Sequence, residues 1–148
     1  MMSTYPEPFT VVMIEDDEGH ARLIKKNLKR TFVGNRVVHL HDGEEAMGYF
    51  FTDQKAPKND KILVLLDLNL PKVDGYEVLK RMKSEDATRM IPIIVMTTTD
   101  NPKEVDRCYE MGCNMYITKP IETDNFSDMM HKLELTMAML KLPHQLHT

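Results

Sequence analysis

The feature that most constrains the fold of this chain is a regular alternation of short apolar runs with amphipathic segments. Five runs are rich in aliphatic residues, and each is followed by a segment with the apolar spacing of a helix. Strands and helices that alternate in this way predict an α/β fold, a doubly wound parallel sheet with helices on both faces. The predicted strands are residues 9–14, 36–40, 62–66, 91–96 and 114–118.

The predicted helices have recognisable end signals. Asp42 and Glu45 have the spacing of a capping box. Asn101 and Pro102 supply an N-cap and a first helical residue, and Gly112 can end the same helix in the left-handed conformation. The residues predicted to form the buried face of the first helix are Ala21, Leu23, Ile24, Leu28 and Phe32.

Composition excludes several classes of protein. The 148 residues are enough for one domain with its own core, and a net charge of −4 does not suggest nucleic-acid binding. No apolar run approaches the roughly 20 residues of a membrane span, and the N-terminus lacks the pattern of a signal peptide. Cys108 and Cys113 lack the spacing and the neighbouring ligands of a metal or redox pair. We therefore expect a cytoplasmic protein with two free thiols.

Polar side chains follow four of the predicted strands at the point where each strand ends. In an open parallel sheet these ends meet at one edge, where ligands bind. Carboxylates are ligands that Mg²⁺ prefers, and a hydroxyl and an ammonium are suited to hold a phosphoryl group. The sequence therefore predicts a magnesium and phosphoryl site. Its residues are Glu15 and Asp16 after the first strand, Asp67 after the third, Thr97 after the fourth and Lys119 after the fifth.

Asp67 is predicted to be the reactive group of this site. A charge at the end of a buried strand is costly unless it is neutralised, and a metal ion together with Lys119 would neutralise it. A carboxylate can act as a nucleophile and form an aspartyl phosphate. Phosphoryl transfer depends mainly on positioning and charge neutralisation, which these groups supply.

Four separated motifs carry a resemblance to a known family. They are the acidic residues after the first strand, "DLNLPKVDG" after the third, "TTT" after the fourth and "YITKP" around the fifth. In order and spacing they resemble the receiver domain of two-component response regulators, over about residues 9–140. The resemblance implies a flavodoxin-like (βα)5 fold and a signalling role in which a histidine kinase supplies the phosphoryl group.

The resemblance also implies a role for individual acidic and amide residues. Asp67 corresponds to the phosphorylated aspartate, and Asp16 to a direct Mg²⁺ ligand. Glu15 would reach the metal through water, although many members of the family have aspartate there. The backbone carbonyl of Asn69 would be a further ligand.

The remaining motif residues are expected to contact the phosphoryl group or to respond to it. The resemblance implies that Thr97 and Lys119 contact the phosphoryl oxygens and that the backbone N–H of Thr98 assists. Tyr116 matches the aromatic residue whose rotamer follows the threonine in this family. The bond between Lys119 and Pro120 is expected to be cis, as is usual at this position of the family.

The sequence is similar, more narrowly, to single-domain regulators that partner bacterial phytochrome kinases. This similarity rests on "DLNLPKVDG", "TTTDN", "YITKP", the long loop before the third strand and the extended last helix. Since the chain ends soon after that helix, we expect no output domain. The signal is then expected to pass by altered protein binding or by onward phosphotransfer to a downstream protein.

Two alternative functions are an Mg-dependent aspartyl-phosphate phosphatase and an interaction module that is independent of phosphorylation. Aspartate phosphatases of the dehalogenase type carry D-x-D, in which the second acid protonates the leaving group. Asn69 stands at that second position and cannot supply the proton. A phosphoacceptor signalling protein, rather than an enzyme, is therefore the favoured interpretation.

The sequence also predicts the bounds of the domain and a homodimer. Residues 1–8 are predicted to be a flexible arm, 9–142 the receiver domain and 143–148 a tail. The last helix carries a second apolar stripe, rotated away from the stripe that faces the sheet. A symmetric homodimer would cover this second stripe, which consists of Leu135, Met139 and Leu142.

The pair His39 and His41 has the spacing of two side chains on one side of a strand. Such a pair can ligate a metal, but no third ligand is evident in the sequence. Ordinary strand residues are therefore the favoured interpretation. The other histidines, among them His20 and His131, form no ligand spacing.

Overall fold

The computed structural model describes residues 10–31, 36–57, 62–119, 128 and 131, of which the last two are helical. Several predictions lie outside these residues. They are the N-terminal arm, the C-terminal tail, the burial of Phe32, the peptide bond before Pro120 and the stripe of Leu135, Met139 and Leu142.

The alternation of strands and helices that the sequence predicts is present throughout the described residues. The strands are β1 (Thr10–Ile14), β2 (Arg36–Leu40), β3 (Ile62–Asp67), β4 (Ile93–Thr97) and β5 (Met115–Thr118). The helices are α1 (Glu18–Thr31), α2 (Gly43–Met47), α3 (Gly75–Ser84) and α4 (Pro102–Glu110), and α2 continues into one π-helical turn, Gly48–Thr52.

The five strands form one parallel sheet in the order β2-β1-β3-β4-β5, which confirms the predicted fold class. β3 is the central strand, and all of its residues are buried. Ile62, Val64 and Leu66 pack into the core that includes α3. Leu63 and Leu65 pack into the core that includes α1. A continuous aliphatic strand is what burial on both faces requires.

The predicted helix caps are largely confirmed. Asp42 Oδ1 accepts a hydrogen bond from the Glu45 backbone N–H at 2.8 Å, but the Glu45 carboxylate accepts from the backbone of His41 rather than from that of Asp42. Asn101 caps α4, with Pro102 as its first residue. Gly112 has φ of 104°, a conformation that side chains disfavour, and the helix has ended by that point.

The prediction that Leu23 lies on the buried face of α1 is wrong. Leu23 is 39% exposed, whereas Ala21, Ile24 and Leu28 are buried. Successive residues of a helix are about 100° apart, so Leu23 lies roughly 200° around the axis from Ala21. Leu23 therefore lies on nearly the opposite side of the helix from Ala21 and does not share the buried face.

None of the helices among the described residues is long and apolar enough to span a bilayer.

Candidate functional site

The carboxyl ends of β1, β3, β4 and β5 bring the predicted site residues to one edge of the sheet. Asp67 is the last residue of β3, and Thr97 is the last residue of β4. Glu15 follows β1, and its backbone N–H donates to the carbonyl of Leu40 at 3.0 Å. Lys119 follows β5, and its backbone N–H donates to the carbonyl of Thr97 at 2.7 Å. The backbone of the sheet therefore fixes where each of these side chains starts.

Lys119 joins two buried carboxylates. Its Nζ lies 2.9 Å from Asp67 Oδ2 and 2.5 Å from Glu15 Oε1. The exposed fractions of the three side chains are 12% for Lys119, 5% for Asp67 and 0% for Glu15. At this depth an ion pair is weakly screened, so loss of the ammonium would leave two uncompensated charges.

The two carboxylates have pKa values shifted in opposite directions. Burial, reinforced by the hydrogen bond with Glu15, raises the pKa of Asp67 to about 6 against the opposing contact with Lys119. Burial also acts to raise the pKa of Glu15, but its hydrogen bonds with Asp67, Lys119 and His20 outweigh burial and lower it. The pair therefore shares its charge unequally, and a proton is held on Asp67 in preference to Glu15.

Asp16 completes a set of three carboxylates that we call the acidic cluster. One oxygen from each of Glu15, Asp16 and Asp67 lies within 4.8 Å of the other two. Asp16 is exposed, so the cluster opens to solvent on that side. Three carboxylates face the single ammonium of Lys119, which leaves an excess of negative charge. Oxygen donors with uncompensated charge fit a hard divalent cation such as Mg²⁺.

The loop after β3 holds Asp67 in place. The backbone N–H of Asn69 donates to Asp67 Oδ1 at 3.0 Å, while the Asn69 side chain lies 3.5 Å from Thr97 Oγ1. Gly75 begins α3 directly beneath the site, with its N–H on the carbonyl of Leu68 at 3.0 Å. A Cβ at Gly75 would lie 2.4 Å from the backbone oxygen of Asp67. The glycine of "VDG" is therefore required by this close approach.

The residues after β4 connect the site to β5. Thr97 is buried, with 1% of its surface exposed, whereas Thr98 is exposed. The hydroxyl of Tyr116 on β5 donates to the carbonyl of Thr99 at 2.7 Å. Burial is the main reason that the pKa of Tyr116 is raised to about 12, so the phenol remains a donor at neutral pH. Tyr116 thus contacts the turn that follows Thr97 through this hydrogen bond.

His20 is a member of the site that the sequence interpretation missed. Its Nδ1 lies 2.5 Å from Glu15 Oε1, and its side chain is 13% exposed. The backbone N–H of His20 is capped by Asp17 Oδ1 at 2.9 Å in the first turn of α1. The only sequence signal is the separation of five residues from Glu15, which has meaning only once the start of α1 is known.

The family of the chain is decided by its sequence match. Residues 11–131 match the response regulator receiver domain. The chain belongs to this family. The acidic cluster, Lys119 and Thr97 occupy the edge of the sheet where the family resemblance of the sequence placed its site. The receiver domain of response regulators interacts with histidine kinases, so histidine kinases are the class of partner expected for this chain.

Solved structures support the assignment. A response regulator receiver domain from Rhodospirillum rubrum is 45% identical, with a TM-score of 0.73 over 88% of this chain and 94% of that one. The response regulator Rcp1 of Synechocystis is 33% identical over 86% of this chain and 87% of its own length. A crystal structure of the Mn²⁺-bound form of Rcp1 gives a TM-score of 0.72 over 86% of this chain and 92% of that chain.

The narrower similarity to phytochrome-associated regulators is also confirmed. The bacteriophytochrome response regulator AtBRR is 33% identical, with a TM-score of 0.70 over 85% of this chain and 92% of that one. This receiver domain is therefore similar in sequence and in fold to regulators that are named for phytochromes.

Proposed function

We propose that this receiver domain accepts a phosphoryl group from a histidine kinase onto Asp67 and signals through altered protein binding in the cytoplasm. The observation that carries the proposal is the position of Asp67. Its carboxylate is buried, held on one oxygen by the Asn69 N–H and on the other by Lys119, beside the acidic cluster. This is the arrangement of a nucleophile that is oriented and has a counter-charge close by.

Each contact of Asp67 has a part in the reaction. A carboxylate oxygen of Asp67 forms a bond to phosphorus while the bond from phosphorus to the kinase histidine breaks. Lys119 Nζ, 2.9 Å from Asp67 Oδ2, is placed to hold a phosphoryl oxygen afterwards. The Asn69 N–H, 3.0 Å from Asp67 Oδ1, keeps the carboxylate oriented throughout.

A divalent cation fits the same site. Held by the acidic cluster and by the backbone carbonyl of Asn69, Mg²⁺ would neutralise charge on the phosphoryl oxygens. The Mn²⁺-bound form of Rcp1 supports a divalent cation in this chain. Glu15 Oε1 lies 2.5 Å from both Lys119 Nζ and His20 Nδ1, and these contacts hold the Glu15 carboxylate in place beside Asp67.

The test of the acceptor is mass spectrometry after incubation with acetyl phosphate and Mg²⁺. Wild type should gain one labile phosphoryl group, and Asp67→Asn should gain none, because an amide is not a nucleophile here. Asp86→Asn is the matched control, since Asp86 is almost fully exposed and lies outside the site. A labile phosphoryl group on Asp67→Asn would remove Asp67 as the acceptor.

Thr97 and Tyr116 are proposed to carry the change to the surface. Phosphorylation adds a charge of about −1.5 to −2 beside Thr97. If Thr97 moves toward it, the turn after β4 moves too, and the bond from Tyr116 to the Thr99 carbonyl must rearrange. Amide exchange of residues 98–118 should therefore change on phosphorylation in wild type and much less in Thr97→Ala. Equal changes in both proteins would contradict this coupling.

The kinase is proposed to be a bacterial phytochrome, on the basis of the similarity to AtBRR. The test is phosphotransfer to this chain from each histidine kinase of the source organism, measured side by side at equal kinase concentrations. The fastest transfer should come from a phytochrome kinase. Faster transfer from a kinase of another class would reject the phytochrome while leaving Asp67 as the acceptor.

The homodimer expected from the last helix stays a prediction. Met139→Glu together with Leu142→Glu should give monomers that still accept phosphoryl at Asp67. Light scattering that finds wild type monomeric, with and without phosphorylation, would contradict it.

A further inference from the structure

A second group of ligand side chains lies at the other side of the β1 end, away from Lys119. It consists of Glu18 in the first turn of α1, with His39 and His41 at the end of β2 and just beyond it. One ligand atom from each residue lies within 4.8 Å of the other two. We propose that these residues form a binding site for a borderline divalent cation such as Zn²⁺, distinct from the acidic cluster, and we call it the Glu18–His39–His41 site.

The tautomer of His39 is fixed by a contact with the backbone. His39 Nε2 lies 2.7 Å from the carbonyl oxygen of Glu15. A carbonyl can only accept, so Nε2 carries the hydrogen, and in the neutral ring Nδ1 has the lone pair. Histidines that ligate metals commonly donate their other N–H to a carbonyl or carboxylate in this way, which fixes the ring and its ligating nitrogen.

His41 lies between two carboxylates. Its Nδ1 is 3.4 Å from Glu45 Oε2, and its Nε2 is 3.0 Å from Glu18 Oε1. If the neutral ring donates from Nδ1 to Glu45, its Nε2 lone pair faces a carboxylate oxygen, and the two acceptors repel. A cation between them removes this repulsion. Two ligands at about 2.0–2.1 Å from one tetrahedral zinc ion lie roughly 3.3–3.4 Å apart, so the pair would need to separate by only a few tenths of an ångström to hold the ion.

The rings of His39 and His41 lie close enough to each other to bind one ion. The centroids of His39 and His41 are 4.0 Å apart, with 32° between the ring planes. Two protonated rings at this distance would repel each other, whereas neutral imidazoles can share one cation. Glu18 and His41 have side chains 63% and 50% exposed, so an ion can enter from solvent.

The ligand set selects the class of ion. Imidazole nitrogen suits Zn²⁺, Cu²⁺ and Ni²⁺, whereas Mg²⁺ prefers oxygen alone. Two imidazoles and one carboxylate also leave a fourth position of a tetrahedral ion open to water. The acidic cluster has only oxygen donors. The two sites therefore differ in the cation that each prefers.

The experiment is a calorimetric titration of tag-free protein with Zn²⁺ in excess Mg²⁺, which is added to compete for the acidic cluster. Wild type should bind one Zn²⁺. His41→Ala and Glu18→Gln, which alter exposed side chains, should each weaken binding by about tenfold or more. His131→Ala is the matched control, because it removes another exposed histidine and should leave the affinity unchanged.

Two further measurements identify the site. Co²⁺ bound in place of Zn²⁺ should give the visible absorption of a four-coordinate ion, and this signal should be lost in His41→Ala. Asp16→Asn, which alters the acidic cluster alone, should keep the Zn²⁺ affinity. Equal affinity in wild type and His41→Ala, or loss of Zn²⁺ binding in Asp16→Asn but not in His41→Ala, would overturn the proposal. In that outcome the contacts of His41 with Glu18 and Glu45 are side-chain contacts without a metal ion.

Discussion

Leu65 and Asp67 lie two residues apart on β3 and are almost equally buried, with 0% and 3% of the whole residue exposed. Leu65 packs into the core that includes α1. Its burial removes apolar surface from water and stabilises the fold. Asp67 loses its hydration on burial and contacts Lys119, Asn69 and Glu15 instead, and Glu15 is also acidic. The same strand thus contributes stability at one position and loses it at the other.

The difference between Leu65 and Asp67 shows that the interior of β3 stabilises the fold, whereas its end holds a residue that destabilises it. The interior of β3 is aliphatic and can be packed without charge, whereas its end carries a group that is held in an unfavourable state. A carboxylate with a pKa raised to about 6 is poorly solvated and close to protonation. Active sites commonly retain such destabilised groups because function needs them. Substitution of each kind of residue tests this contrast.

The largest effect is expected at Leu65. Leu65→Ala leaves a cavity at the centre of the sheet, where neighbouring strands prevent collapse. The free energy of unfolding should fall by about 3–5 kcal/mol. Chemical denaturation monitored by circular dichroism measures this change. Leu23→Ala is the matched control, because Leu23 is 39% exposed and its truncation should cost far less. Similar losses at both positions would contradict the burial that distinguishes them.

The second effect is expected at Lys119. Lys119→Met keeps the bulk of the side chain but removes the charge that compensates Glu15 and Asp67. Removing one partner of a buried ion pair costs about 3–5 kcal/mol. Protonation of Asp67 should limit the loss here, so we expect a decrease of about 2–3 kcal/mol in the free energy of unfolding.

A double-mutant comparison tests the cause of this loss. In an Asp67→Asn background, one of the two charges is already absent, so Lys119→Met should cost less than it does in wild type. Equal costs in the two backgrounds would show that Lys119 stabilises the fold by packing and not by pairing with Asp67.

The position of the charged residues at the ends of the buried strands is predictable from the sequence, because the carboxyl ends of strands in a parallel sheet share one edge. The runs before Glu15, Asp67, Thr97 and Lys119 were readable as strands, and topology alone then brings these residues together. The structure adds the register between β1 and β2, in which Ile14 lies opposite Leu40. The fold and the principal site residues therefore need little beyond the apolar pattern and the strand ends.

Other contacts could not be predicted because they depend on where helices begin and how side chains turn. His20 reaches Glu15 only because α1 starts at Glu18, and the sequence pattern gives helix starts with an uncertainty of a few residues. The pairing of His39 with His41 was visible from their spacing, but Glu18 approaches them from another element. Such contacts follow from the packing of elements against each other and not from the pattern within one element.

The smallest effect, and the one opposite in sign, is expected at Asp67 itself. Asp67→Asn removes a buried charge that is repelled by Glu15 while it keeps the shape of the side chain. In protein freed of divalent cations with EDTA, the substitution should raise the free energy of unfolding at pH 7 by about 1–3 kcal/mol, since one pKa unit corresponds to about 1.4 kcal/mol. Denaturant unfolding of the two proteins across pH measures the gain.

The pH dependence of stability follows from the direction of the pKa shift of Asp67. The ordinary pKa of the Asp67 carboxyl is 3.8, and the folded protein raises it to about 6. Below about pH 4 the carboxyl is protonated in both states, so Asp67 costs no stability there. Between pH 3.8 and about pH 6 the folded state holds the proton of Asp67 more tightly than the unfolded state does. Wild type therefore loses stability as the pH rises through this range. The advantage of Asp67→Asn should therefore grow through this window and level off above it. A variant that is less stable than wild type at pH 7, or a difference that shrinks as the pH rises, would show that Asp67 stabilises the fold as Leu65 does.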